Sequence, residues 1–224
     1  MLKDRADAGS KLMAKLPSLD PSETIVVALP RGGVPVAEVI ADELGASLDI
    51  VLVRKVGMPG QPELALAAVT DGPNPRVSIN RDLAQAAKIS DDEIWDMAQS
   101  QLAEIERRRD RYLGGRAPLP IEGKTVLLVD DGIATGATAR AALRLLRAQK
   151  PRRLILVVPV APASTLQELI ADVDDVVCLS TPRPFVAVGS HYQHFDQVPD
   201  RVVAKALEGN AAKRVNGRDD RKHR

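Results

Sequence analysis

Twice in this sequence a short apolar run rich in β-branched residues ends at a glycine-bearing turn, passes straight into a helical pattern and is followed by another apolar run. The run "TIVVALP" (24–30) leads through "RGG" into "VPVAEVIADELG", closed by Gly45, and then into "LDIVLV" (48–53). The pattern returns with a strand at 125–130, a helix at 137–149, a strand at 153–160, a helix at 164–171 and a strand at 175–179. Runs this short and this uniformly apolar are strands covered on both faces, and strand, turn, helix, strand is the unit of parallel pairing with a right-handed crossover. The pattern predicts an α/β fold built on a doubly wound parallel sheet, in which ligands bind beyond the C-terminal ends of the strands. Both glycine-bearing turns fall at such ends.

Residues 54–120 break this rhythm. The stretch "RKVGMPGQPELALAAVTDGPNPRVSIN" is rich in Gly and Pro and reads as loop and irregular β-hairpin. It is followed by "SDDEIWDMAQSQLAEIERRRDRYL", a helix with a capping box at Ser90 and Glu93 and an apolar stripe of Ile94, Met97, Leu102, Ile105 and Tyr112. Its other face, with Glu104, Arg107, Asp110 and Arg111, reads as solvated and laced with ion pairs. A further helix over 4–16 carries Ala8, Leu12 and Leu16 at helical spacing and stops before Pro17. The tail "EGNAAKRVNGRDDRKHR" shows no apolar periodicity of its own. The expectation is one domain over 1–206, an insert at about 56–118, and a disordered tail over 207–224.

The 224 residues carry a formal net charge of +1, so the molecule has no overall field to draw in nucleic acid or an anionic membrane. No apolar stretch approaches the roughly 20 residues of a membrane span, no signal-peptide core is visible, and the expected location is cytoplasmic. The single cysteine, Cys178, lies in an apolar strand pattern and reads as a small buried hydrophobe. His191 and His194 have a metal-ligand spacing, but no Cys or further His stands near them in sequence, which argues against a metal site.

The chemistry concentrates in "VLLVDDGIATGATARAAL" (126–143). Two adjacent carboxylates, Asp130 and Asp131, repel each other and resist burial, so a strand that ends in them faces water or expects a partner. Thr135, Gly136, Ala137 and Thr138 open a helix whose free N–H groups form an anion cradle suited to a monophosphate, with Gly136 removing the side chain that would block close approach. The carboxylates cannot bind that phosphate, but they can accept hydrogen bonds from vicinal hydroxyls or help position a hydrated Mg²⁺. A ribose 5-phosphate satisfies both halves.

The run "VLLVDDGIATGAT" resembles the 5-phosphoribosyl-1-pyrophosphate (PRPP) motif of type I phosphoribosyltransferases, and the likeness extends over nearly the whole chain, toward a bacterial subfamily with the long inserted helix. The resemblance implies an Mg²⁺-dependent transfer of ribose 5-phosphate from PRPP to a nitrogenous acceptor, with Asp130 and Asp131 on the ribose. It implies a pyrophosphate loop in "ALPRGGVPVA" (28–37), where Arg31, Gly32 and Gly33 meet the leaving group and a non-proline cis peptide is frequent. It implies a third contact at Arg54 and Lys55, both with a catalytic role, and a flexible closing loop over Val56–Val77 in which Glu63 is a further candidate. The acceptor-binding hood falls at about 181–198, where Phe185 and Tyr192 are candidates for stacking on a base, packing of the hood being the other reading. Ala134 stands where hypoxanthine-guanine relatives carry an acid, which disfavours a 6-oxopurine acceptor and agrees better with adenine- and orotate-type relatives. A homodimer is left open. The alternative function is a non-catalytic PRPP- or nucleotide-binding regulator; the stretch ahead of the first strand is too short for a winged helix, which disfavours DNA as its partner.

Overall fold

The computed structural model describes residues 1–70 and 76–219. Its centre is the expected parallel sheet. The strands β1 (Thr24–Ala28), β2 (Ser47–Ile50), β6 (Thr125–Val129), β7 (Arg153–Val160) and β8 (Asp175–Ser180) are ordered β2-β1-β6-β7-β8, and every pairing is parallel. Alternating side chains feed the two sides of this sheet. Val26, Ala28, Leu127 and Val129 pack toward α1 (Arg5–Met13) and α2 (Gly33–Leu44), while Ile25, Val27, Val126 and Leu128 pack toward α5 (Ala137–Ala148) and α6 (Ala163–Leu169). Burial on both faces is why these strands read as unbroken apolar runs.

The expected strand over 48–53 divides in two. Val51 N–H still donates to Ala28 O at 3.1 Å, after which the chain leaves the parallel sheet. Val53 then opens a separate antiparallel sheet, β3 (Val53–Met58), β4 (Gln61–Thr70) and β5 (Arg76–Ile79), with a register shift on each side of Gly57. Much of what reads as a closing loop is therefore hairpin, and it is packed. Val56, Leu66 and Val69 are buried in the same cluster as Ile94, Ala98 and Ile105 of the inserted helix α4 (Asp91–Leu113), which follows the short α3 (Arg81–Ala87). The capping box at the start of α4 is present as expected, with both reciprocal bonds between Ser90 and Glu93.

The expectation of a disordered tail is overturned. Residues Asp200–Asp219 form α7, which buries Val203, Ala206, Leu207 and Asn210 at i, i+3, i+4 and i+7. The apolar stripe lies ahead of the polar segment that suggested disorder, so a window opening at Glu208 misses Val203, Ala206 and Leu207 and keeps only Asn210. The helix also covers the outer edge of the parallel sheet. Asn210 Oδ1 accepts the Leu48 N–H at 2.8 Å and its amide donates to Ala46 O at 3.2 Å, meeting the hydrogen-bonding needs of an edge strand. Residues 220–224 of the expected tail lie outside the described residues. Among the described residues no helix is long and apolar enough to cross a membrane.

Candidate active site

The turns after β1 and β6, adjacent strands of the sheet, lie against each other at its C-terminal end. A Cβ on Gly32 would stand 2.1 Å from Asp131 Oδ2, and one on Gly33 would stand 2.6 Å from Val129 O and 2.9 Å from Asp130 Cα. Both glycines, read from sequence as openings for a leaving group, are thus required first by the contact between the two turns. The peptide joining Pro30 to Arg31 is cis, as the resemblance implies for this loop.

The acid pair is divided by its surroundings. Asp130 accepts the Asp131 backbone N–H at 2.9 Å, and burial together with the neighbouring carboxylate pushes its carboxyl well above the usual range. Asp131 has a partner that sequence reasoning did not foresee. Arg5 of α1 donates from Nε to Asp131 Oδ2 at 2.8 Å, with the two side chains only 12% and 13% exposed. The same guanidinium donates to Asp196 O at 2.8 Å and lies 4.0 Å from the centre of the Phe195 ring. In the sequence Arg5 is one charge in the mixed-charge start of a helix, so nothing in the local pattern separates it from solvated neighbours.

The Thr135–Thr138 turn is exposed and braced from behind. Ala134, Thr135, Ala137 and Thr138 are exposed, and Gly136 caps α5 with φ +75° and no side-chain cap bond, leaving the first N–H groups of the helix free of intrahelical partners. Thr165 of α6 donates its hydroxyl to Ala134 O at 2.9 Å. A Cβ on Gly136 would come within 2.8 Å of Thr165 Cγ2, so the missing side chain makes room for α6.

Arg54 and Lys55, read as following the strand over 48–53, stand instead inside β3 beside this turn. They sit within β3, paired with Val69 and Ala68, and share with Gln101, Ala137 and Thr138 the wall of a cleft of about 430 Å³. Arg54 Nε donates to Gln101 Oε1 of α4 at 3.1 Å. Arg31, half-buried, lies 3.7 Å from Asp200 Oδ1 at the start of α7. Asp200 also accepts the Tyr112 hydroxyl at 2.7 Å and Arg111 Nη1 at 2.6 Å, and the Tyr112 bond holds its carboxyl below the usual range. The side chain of Glu63 lies outside the described residues.

The hood candidates separate. Tyr192 is buried, donates its hydroxyl to Asp131 O at 2.6 Å and packs on Phe195 at 4.9 Å between ring centres, so it is a strut under the acid pair and not a free stacking surface. Phe185 is half-buried and stacks on His191 at 5.5 Å. Val188 lies over Gly132, where a Cβ would stand 2.4 Å from its Cγ1, which places the hood segment on the acid-pair turn. Among the described residues no three His, Cys, Asp or Glu side chains gather as a metal nest. Cys178 is half-buried, with its thiol pushed up by burial.

Comparison with known proteins agrees with this geometry. A family model described as phosphoribosyl transferase domain matches residues 2–194. The Mycobacterium tuberculosis H37Rv protein named "Putative phosphoribosyl transferase Rv0571c" is 40% identical over 208 residues, covering 93% of this chain and 46% of its own length. MT0597 of strain CDC 1551, with the same descriptive name, gives the same figures, so the chain spans about half the length of these curated relatives. Among solved structures, TT1426 from Thermus thermophilus is 40% identical with a TM-score of 0.80, covering 92% of this chain and 97% of that one.

Proposed function

The chain belongs to the phosphoribosyl transferase domain family, and from that premise we propose that it moves ribose 5-phosphate from PRPP to a nitrogenous acceptor and releases pyrophosphate. The observation that carries the reading is the convergence, at one end of the parallel sheet, of an acid pair, an exposed helix start and a cleft lined by Arg54 and Lys55. In this reading the α5 turn binds the 5-phosphate through its N–H groups and the Thr135 and Thr138 hydroxyls. Asp130 and Asp131 face the ribose hydroxyls and the positive charge that grows on the ring. The bond from C1 to the pyrophosphate oxygen breaks with its electron pair leaving on pyrophosphate, and the acceptor nitrogen forms the new bond to C1 and gives up its proton. Arg31, Arg54 and Lys55 stabilise the charge that develops on the leaving group.

The donors near this position suit Mg²⁺ in one way. Asp130 and the Asp131 oxygen not bonded to Arg5 could hold, directly or through water, an ion that keeps most of its waters and travels with substrate phosphates. Such an ion would supply charge neutralisation on the pyrophosphate oxygens. The exposed Ala134 cannot exchange a proton with an acceptor, which favours bases other than 6-oxopurines.

The Arg5 bond also favours a second reading, a regulator that binds PRPP without turning it over, because one of the two carboxylates is already ion-paired. Incubation with PRPP, Mg²⁺ and a panel of nitrogenous bases separates the two. Acceptor-dependent pyrophosphate release supports the transferase; tight PRPP binding with no release for any base supports the regulator.

A further inference from the structure

The inserted helix α4 touches the proposed site at two places: one contact holds Arg54 directly, and the other holds the carboxylate that Arg31 faces. Gln101 accepts the Nε proton of Arg54 at 3.1 Å. Tyr112 donates its hydroxyl to Asp200 Oδ1 at 2.7 Å, and that same oxygen is the one facing Arg31 at 3.7 Å. Gln101 and Tyr112 are about three turns apart, on one face of the helix and about 16 Å from each other along its axis.

We propose that α4 is the spacer of the leaving-group side of the site, with Gln101 and Tyr112 as positioning residues that set the separation and orientation of Arg54 and Arg31. This rests on the transferase reading, which assigns both arginines to pyrophosphate. The physical case is that an arginine side chain has many rotamers and gains little from a charged ligand unless its planar fork is held in advance. Arg54 stands on the short antiparallel sheet and Arg31 on a turn of the parallel one, so the two are carried by separate sheets. A stiff rod bonded at both places removes that freedom. The rod is anchored independently of those bonds, since Ile94, Ala98 and Ile105 are buried beneath it and Arg111 adds a second bond to Asp200. The two polar contacts are therefore available to orient the arginines and are not needed to hold the helix in place.

The test uses the full chain and inorganic pyrophosphate with Mg²⁺, followed by calorimetry, with inorganic phosphate as the probe of the α5 turn. Gln101→Leu and Tyr112→Phe each keep the packing volume and remove one polar contact. Each should weaken pyrophosphate binding about fivefold, and the pair more than either alone, while phosphate affinity stays within error. With PRPP and a working acceptor the losses should appear as a lower kcat with KM moved less. Pyrophosphate affinity unchanged in both variants would overturn the spacer role and leave the transferase reading standing, as would an equal loss for phosphate and pyrophosphate, which marks a general structural defect. If the unaltered protein binds neither pyrophosphate nor PRPP, the transferase reading falls and the spacer falls with it.

Discussion

The parallel sheet and the inserted unit meet at the same site but are built on opposite principles. In β1 and β6 every residue is buried, and the loops that follow them touch through backbone so closely that glycine is required. In β3 the residues are mostly half-buried or exposed, the register shifts on each side of Gly57, and the helix laid against the sheet shows charged residues along much of its surface. One region is held by shape and the other by a single apolar stripe with ionic dressing. The proposed site draws on both: the acids and the Thr135–Thr138 turn stand on the first region, and Arg54 and Lys55 on the second.

The sharpest break of this contrast is a methyl group. Gly33→Ala forces a Cβ against the Val129 carbonyl and the Asp130 Cα, both backbone of the parallel sheet, and should cost about 3 kcal/mol or more. Gly60→Ala, at the β3–β4 turn with φ +77° and nothing within 4 Å, should cost only the backbone penalty of about 1 kcal/mol. Chemical denaturation measures both, and equal losses would abolish the distinction between the two regions.

The parallel-sheet side of the site can also be stripped of charge at nearly constant side-chain volume, although Arg5 then loses its ion-pair partner. If the carboxylates act, as proposed, on charge that appears only in the transition state, Asp130→Asn with Asp131→Asn should lower pyrophosphate release on the order of a hundredfold. Phosphate binding at the α5 turn should change little. Turnover that survives the double change would remove the pair from the ribose.

At the seam between the regions, pH is the probe. Burial, followed by the bond to Asp200, raises the Tyr112 phenol to about 12, and burial raises that of Tyr192 further. Both folded values lie above the unfolded one, so the contribution of these tyrosines is fully present below an unfolded value of about 10. It is lost as the pH rises through about 12 for Tyr112. Phenolate absorbance should stay flat past pH 10 in the folded protein and then rise together with unfolding; a titration step near 10 would show that the seam is open to water.

The smallest effect belongs to the exposed face of α4. Bonds from Arg107 and then Arg108 hold Glu104 down at about 2. A depressed acid contributes above its unfolded value of 4.5 and loses that contribution as the pH falls through about 2. Side-chain NMR should find the low titration, and Arg107→Ala should move it up while leaving the unfolding midpoint unchanged, since solvent screens such pairs.

What the sequence determined alone was the part of the molecule where local pattern and global packing coincide. Strands buried on both faces must be apolar throughout, so the runs at 24–30, 125–130 and 153–160 announced the parallel sheet. The capping box at Ser90 and the acid pair with its threonine turn were legible for the same reason, each being a constellation of neighbours in the chain. Tertiary structure alone decided everything that depends on residues far apart meeting. Arg5 finds Asp131 across 126 positions, Tyr112 finds Asp200 across 88, and Asn210 finds Leu48 across 162. It also decided that Gly32, Gly33 and Gly136 serve the approach of neighbouring backbone and side chains, and that Tyr192 supports the acids from below. A charge or an amide in a polar segment looks the same in sequence whether it meets water or a partner, because the free energy that separates the two outcomes comes from burial, and burial is a property of the folded chain.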